Sequence, residues 1–116
     1  MSIRDLTDRD LDARVAKALG WANVSHYTQP DDQAGLPPPE LRILTLVPRY
    51  STDGNAMLAL LGELRERRVE LDISIGDAPG REWEIEFDRP YRLIRSAPKL
   101  PRAVAEAAVL ALGGGE

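Results

Sequence analysis

Residues 69–88 read VELDISIGDAPGREWEIEFD, and the alternation in them decides the fold class. Val69, Leu71, Ile73 and Ile75 interleave with Glu70, Asp72 and Ser74, and Trp83, Ile85 and Phe87 interleave with Glu82, Glu84, Glu86 and Asp88. Successive side chains of a strand point to opposite faces, so each run is a half-buried strand with one apolar and one acidic face. The connector Gly76-Asp77-Ala78-Pro79-Gly80 is of hairpin length, which pairs the two strands antiparallel. The carboxylates then form a row that repels itself, to be relieved by solvent, by a cation or by arginine.

Working outward, Tyr91 to Arg95 reads as a further strand after the break at Pro90. Ala97 to Leu112 has prolines near its start, alanine through its body and Gly113-Gly114-Gly115 behind it, the pattern of a terminal helix. Upstream of the hairpin, Ser51, Thr52 and Asp53 are all capping residues, so a helix is expected from there to about Arg67. Its first half, Ala56 to Leu61, is apolar all round and predicts burial on both sides or a partner. The run Leu41 to Val47 (LRILTLV) reads as a short buried strand. Residues 22–40 carry four prolines and no periodicity, which predicts an extended, proline-rich linker. The first helix is marked by Thr7 as cap, by Leu11, Val15 and Leu19 along one stripe and by Gly20 as its stop. The expectation is a single α+β domain over residues 1–116, a small α/β sandwich with an antiparallel sheet of about three to four strands packed by three helices.

Composition narrows the chemistry. The chain has 116 residues, 43% of them hydrophobic and 29% charged, which is one globular core. It has no cysteine, so disulfides, thiolate metal cages and cysteine nucleophiles are excluded, and a single histidine, His26, does not make a histidine zinc site. The opening MSIRDLTDRD is polar and acidic, and no stretch reaches the roughly 20 apolar residues that span a bilayer, so neither a leader nor a membrane anchor is expected. Nineteen acids against fifteen bases leave a net charge of -4, which offers no general attraction to a nucleic acid duplex or an anionic membrane. That charge is uneven: Val69 to Asp88 holds seven acids and one base, and Arg89 to Arg102 holds five bases and no acid.

The clearest binding feature is Arg49-Tyr50-Ser51-Thr52-Asp53 at a helix start, where unpaired amides and the positive end of the dipole suit an anion. Arg49 can supply a bidentate fork, Tyr50 a stacking face, and Ser51 and Thr52 hydroxyl donors. Arg92, Arg95 and Arg102 in the basic run can complete a phosphate pocket. The alternatives are plain capping by Asp53 or Ser51 and compensation of the acidic hairpin by the arginines. The nearest approach to a triad, Ser25 and His26 with Asp31 or Asp32, has no nucleophile elbow, and no glycine-rich phosphate loop with lysine occurs.

These features together resemble the phage ABA sandwich domain, a small domain of bacteriophage and prophage proteins. The residues that carry the resemblance run in order along nearly the whole chain. They are Leu19-Gly20-Trp21 at the end of the first helix, the proline-rich stretch, Tyr50-Ser51-Thr52-Asp53 opening a helix that contains Ala56, the hairpin, Ala97-Pro98, and the alanine-rich helix Ala103 to Leu112. The chain departs from the family in having no Cys in Lys99-Leu100-Pro101-Arg102-Ala103. The resemblance implies a phage origin and an α/β sandwich, and it brings no catalytic signature; with neither leader nor anchor expected, residence in the cytoplasm of the infected host is expected.

No catalytic residues, no metal site and no cofactor are expected. The function expected is that of a non-enzymatic phage accessory protein that binds and sequesters a small anionic, nucleotide-derived ligand. A cyclic nucleotide or a cyclic ADP-ribose-type messenger of bacterial immunity is the type of ligand meant. The alternative is a structural or protein-interaction module with no small-molecule ligand. Self-association into a homo-oligomer is expected from the breadth of apolar surface on the second and last helices.

Overall fold

The computed structural model describes residues 3–26, 33–87 and 93–113. A single 3-10 turn, Ile3–Asp5, leads into helix α1, Asp8–Ala18. Thr7 caps α1 by accepting the Asp10 N–H at 3.2 Å. At the other end Gly20 stands at φ +102°, where the Gly20 N–H reaches the Lys17 carbonyl and the Trp21 N–H the Ala16 carbonyl, each at 3.0 Å. Those paired bonds close the helix as the capping and stop residues predict. Leu11, Val15, Ala16 and Leu19 go into the core.

Residues 22–40 depart from the expected linker. They contain strands β1 (Ala22–His26) and β2 (Gln33–Leu36), which pair antiparallel with a bulge between Ala22 and Ser25 where Asn23 takes φ +54°. No alternation announces β2 because Gln33, Ala34 and Gly35 are all buried, so both of its faces are covered. Gly35 is required by close approach: a Cβ there would meet Val24 Cγ2 at 2.8 Å and the Ala22 carbonyl at 3.1 Å. The prolines 37–39 follow β2 and do not interrupt it.

The expected buried strand Leu41–Val47 is also corrected. Only β3, Thr45–Leu46, pairs, and it does so at the edge of this first sheet, of order β1-β2-β3. Leu41, Ile43, Leu44 and Leu46 are 41, 71, 51 and 57% exposed, and only Val47 reaches the core. Leu41 sits at φ +57° and the Thr45 hydroxyl donates to the Ile43 carbonyl at 2.9 Å, so the backbone curls instead of extending into a longer ladder.

Helix α2 (Gly54–Glu66) starts under Asp53, which accepts the Asn55 N–H at 3.1 Å. It buries Ala56, Met57, Leu60 and Leu64, and turns Leu58 outward. The second sheet follows, with β4 (Leu71–Ile75), β5 (Trp83–Phe87) and β6 (Leu93–Ala97) in that spatial order and antiparallel. The hairpin register is the one the alternation implies, Ile73 opposite Ile85 and Ile75 opposite Trp83. Burial falls off across it: Ile85 is fully buried, whereas Ile73 and Ile75 on the edge strand are 42 and 79% exposed.

Helix α3 (Leu100–Ala111) is the centre of the molecule, packed on by α1, α2, β5 and β6. Residues 103–110 are buried without interruption, which explains the alanine: small side chains let neighbours close in around the whole helix. Its apolar breadth is therefore used inside the chain. The architecture is α+β, with three α-helices and two three-stranded antiparallel sheets among the described residues, the second sheet being the one the hairpin predicts. No helix among the described residues is long and apolar enough to cross a membrane.

Candidate anion-binding site

The site begins with a carboxylate on the wrong side of a helix. Asp12 lies next to Leu11 on the inner face of α1 and is completely buried. Such a group persists only when its charge and its lone pairs are met. Arg9 meets the charge at 2.8 Å, and the Ser51 backbone N–H meets the second oxygen at 2.7 Å. Arg9 also donates to the Val47 carbonyl at 3.0 Å, and the Ser51 hydroxyl donates to the Asp8 carbonyl at 3.1 Å. The turn that precedes α2 is thus clamped to the first turns of α1.

Arg102, at the start of α3, is held as firmly. Its guanidinium donates to Glu106 at 2.8 Å, to Asp8 at 3.0 Å and to the carbonyls of Leu6, Ile3 and Arg4 at 2.9, 3.2 and 3.3 Å. Glu106 is almost wholly buried, so this pair forms the back wall where the N-terminal turn, α1 and α3 meet.

In front of that wall is an open cavity of about 720 Å³. Its rim comes from four places: Arg4 and Leu6 near the N-terminus, Ser51 and Thr52 before α2, Pro79 to Arg81 in the hairpin loop, and Ser96 to Lys99 with Pro101 entering α3. Arg81 and Lys99 are exposed and bring side-chain cations that make no ion pair among the described residues. Asp8 and Glu106, the lining acids, are the ones already engaged by Arg102. The cavity therefore presents a positive balance. The α3 amides at this rim have no side-chain cap, since Lys99 occupies the capping position.

The residues singled out in the sequence divide around this cavity. Ser51, Thr52 and Arg102 line it together, Ser51 and Arg102 with their polar atoms bound to protein groups. Arg49 is exposed and outside it. Asp53 is outside it as the cap of α2. Tyr50 does not offer a stacking face: its ring is in the core, 6% exposed. Burial, then Glu63 and Asp12, raise its hydroxyl from 10.0 to about 12. Arg95 stands on β6 at the register position opposite Ile85, and Arg92 lies outside the described residues, as do Asp31 and Asp32. Sequence reasoning missed Arg4, Arg81 and Asp12. The last had a visible signal, an acid beside Leu11 on the stripe that Val15 and Leu19 continue; the other two had none, because only the fold brings their segments together.

The fold defined here is α+β, with a cleft of positive balance beside the start of α3. No family model and no curated protein matches the chain. Among solved structures it is similar to a phage protein from Bacillus cereus ATCC 14579, with a TM-score of 0.67 over 93% of this chain and 89% of that one, at 14% identity. At that identity the likeness is one of fold.

Proposed function

We propose that this chain is a phage accessory protein of the host cytoplasm that binds a small anionic, nucleotide-derived ligand in the cleft at the start of α3 and holds it unchanged. The observation that carries the reading is the pairing of a roomy cavity with cations the protein leaves unused: Arg81 and Lys99 face about 720 Å³ of open space, while both lining acids are held by Arg102. A cavity of that size lies in the range of small-molecule sites, about 300 to 1,000 Å³. Guanidinium, ammonium, hydroxyl and free helix amides are the donors that phosphate takes. The fold likeness to a phage protein supports the phage origin. Sequestration needs affinity and no chemistry, so the chain acts as a sponge for an immune messenger such as a cyclic nucleotide or a cyclic ADP-ribose-type molecule. Native mass spectrometry of the purified protein with such molecules tests this: a retained, unmodified ligand supports it, and turnover or no mass shift opposes it.

A second reading rests on the exposed apolar segment 41–46, where Ile43 at 71% and Leu46 at 57% face solvent at a sheet edge. In that reading the chain is an interaction module, or a homo-oligomer joined through this edge. Light scattering with Ile43→Ser distinguishes it, since the substitution then lowers the assembly state and leaves ligand binding alone.

A further inference from the structure

We infer that the cleft recognises the sugar-phosphate part of its ligand and that its described lining offers a base no aromatic face to stack on. The inference rests on the reading of the cleft as an anion site and specifies what that site selects. The polar groups that line the cavity uncommitted are those of phosphate and sugar recognition: Arg81, Lys99, and the hydroxyls of Thr52 and Ser96. The apolar part of the lining is aliphatic, with Leu6, Ala97 and prolines from the hairpin loop and the α3 entry.

No aromatic side chain among the described residues lines the cavity. Tyr50, one residue from the rim, has its ring in the core, and Trp21 and Trp83 pack against that same core. Proteins that hold bases without reading their edges do so mainly by stacking them on aromatic faces, and none of the described lining residues supplies one. Selectivity then falls on the number and placement of phosphates and on the hydroxyls of the sugar. Different bases on one phosphorylated ribose are expected to bind alike.

Calorimetric titration of the intact protein with ribose 5-phosphate, AMP and adenosine tests this. Ribose 5-phosphate and AMP should agree within about threefold, and adenosine should bind at least about 100-fold more weakly than either. Lys99→Gln should weaken both phosphorylated ligands by the same factor, which shows that they share the cleft. AMP binding more than about tenfold tighter than ribose 5-phosphate overturns the inference and leaves the anion site standing. Adenosine binding as well as AMP overturns the inference and the anion site with it, because the phosphate then contributes nothing. Failure of both phosphorylated probes overturns the anion site itself and this inference with it.

Discussion

The carboxylate of Asp12, wholly buried on α1, accepts the backbone N–H of Ser51 at 2.7 Å and thereby ties the middle of the first helix to the turn that opens the second. Arg9 completes the arrangement at 2.8 Å. Two segments 39 residues apart are joined by one acid, and the rim of the cleft at Ser51 and Thr52 is set by that joint.

Replacing Asp12 by Ala removes the acceptor of a buried amide and breaks the buried ion pair with Arg9. Loss of one partner from a buried pair costs about 3 to 5 kcal/mol, so Asp12→Ala should lower unfolding free energy by that order in chemical denaturation. Asp12→Asn keeps an acceptor for Ser51 and should cost less. Equal losses for the two variants would show that the Ser51 bond contributes nothing.

Arg102 makes five hydrogen bonds that converge on Asp8, Glu106 and three carbonyls of the N-terminal turn. Lysine has one point of charge and no planar fork, so Arg102→Lys should not restore them. A loss of about 3 kcal/mol or more is expected for Arg102→Lys and for Arg102→Met alike, because neither side chain reaches Asp8, Glu106 and the three carbonyls together. Near-native stability of the lysine variant would mean that charge alone is sufficient there.

The raised Tyr50 hydroxyl carries a pH signature. Its value in the folded chain, about 12, exceeds the ordinary 10.0, so the stabilising contribution is complete below pH 10 and is lost as pH rises toward 12. Tyr50→Phe removes this titration. Unfolding free energy measured from pH 9 to 12 should therefore fall more steeply for the natural protein than for Tyr50→Phe, and parallel curves would refute the burial of that hydroxyl.

Burial across the second sheet predicts unequal mutations in one register. Ile85→Ala should cost about 2 to 5 kcal/mol by leaving a cavity under α3, whereas Ile75→Ala, at 79% exposure, should stay within about 0.5 kcal/mol. Thermal melts of the two variants check it.

That contrast also shows where the sequence is legible. Alternation reports the phase of Ile73, Ile75, Trp83 and Ile85 correctly, because pleating is local, but not how far the covering helix reaches, so Ile73 and Ile75 look as buried as Ile85. Caps were legible for the same local reason: Thr7, Gly20 and Asp53 each act where they stand. Strand β2 was not, since Gln33 to Leu36 is covered on both faces and shows no period, and its pairing depends on Gly35 fitting against Val24. Tyr50 was misread because a tyrosine beside capping residues looks the same whether it faces solvent or the core. The cleft was legible only in part, through Ser51, Thr52 and Arg102; Arg4 and Arg81 join them through contacts that no spacing encodes.

The most direct test of the cleft is a calorimetric titration of ribose 5-phosphate into the natural protein, the Arg81→Gln/Lys99→Gln double variant and Arg49→Ala. Each charge-assisted contact is worth about 1.5 to 3 kcal/mol, so the double variant should bind at least about 100-fold more weakly, with its melting temperature unchanged because both side chains are exposed and unpaired among the described residues. Arg49→Ala, outside the cleft, should bind as the natural protein does. Equal affinity in the natural protein and the double variant, or no binding to the natural protein at all, would contradict the anion site.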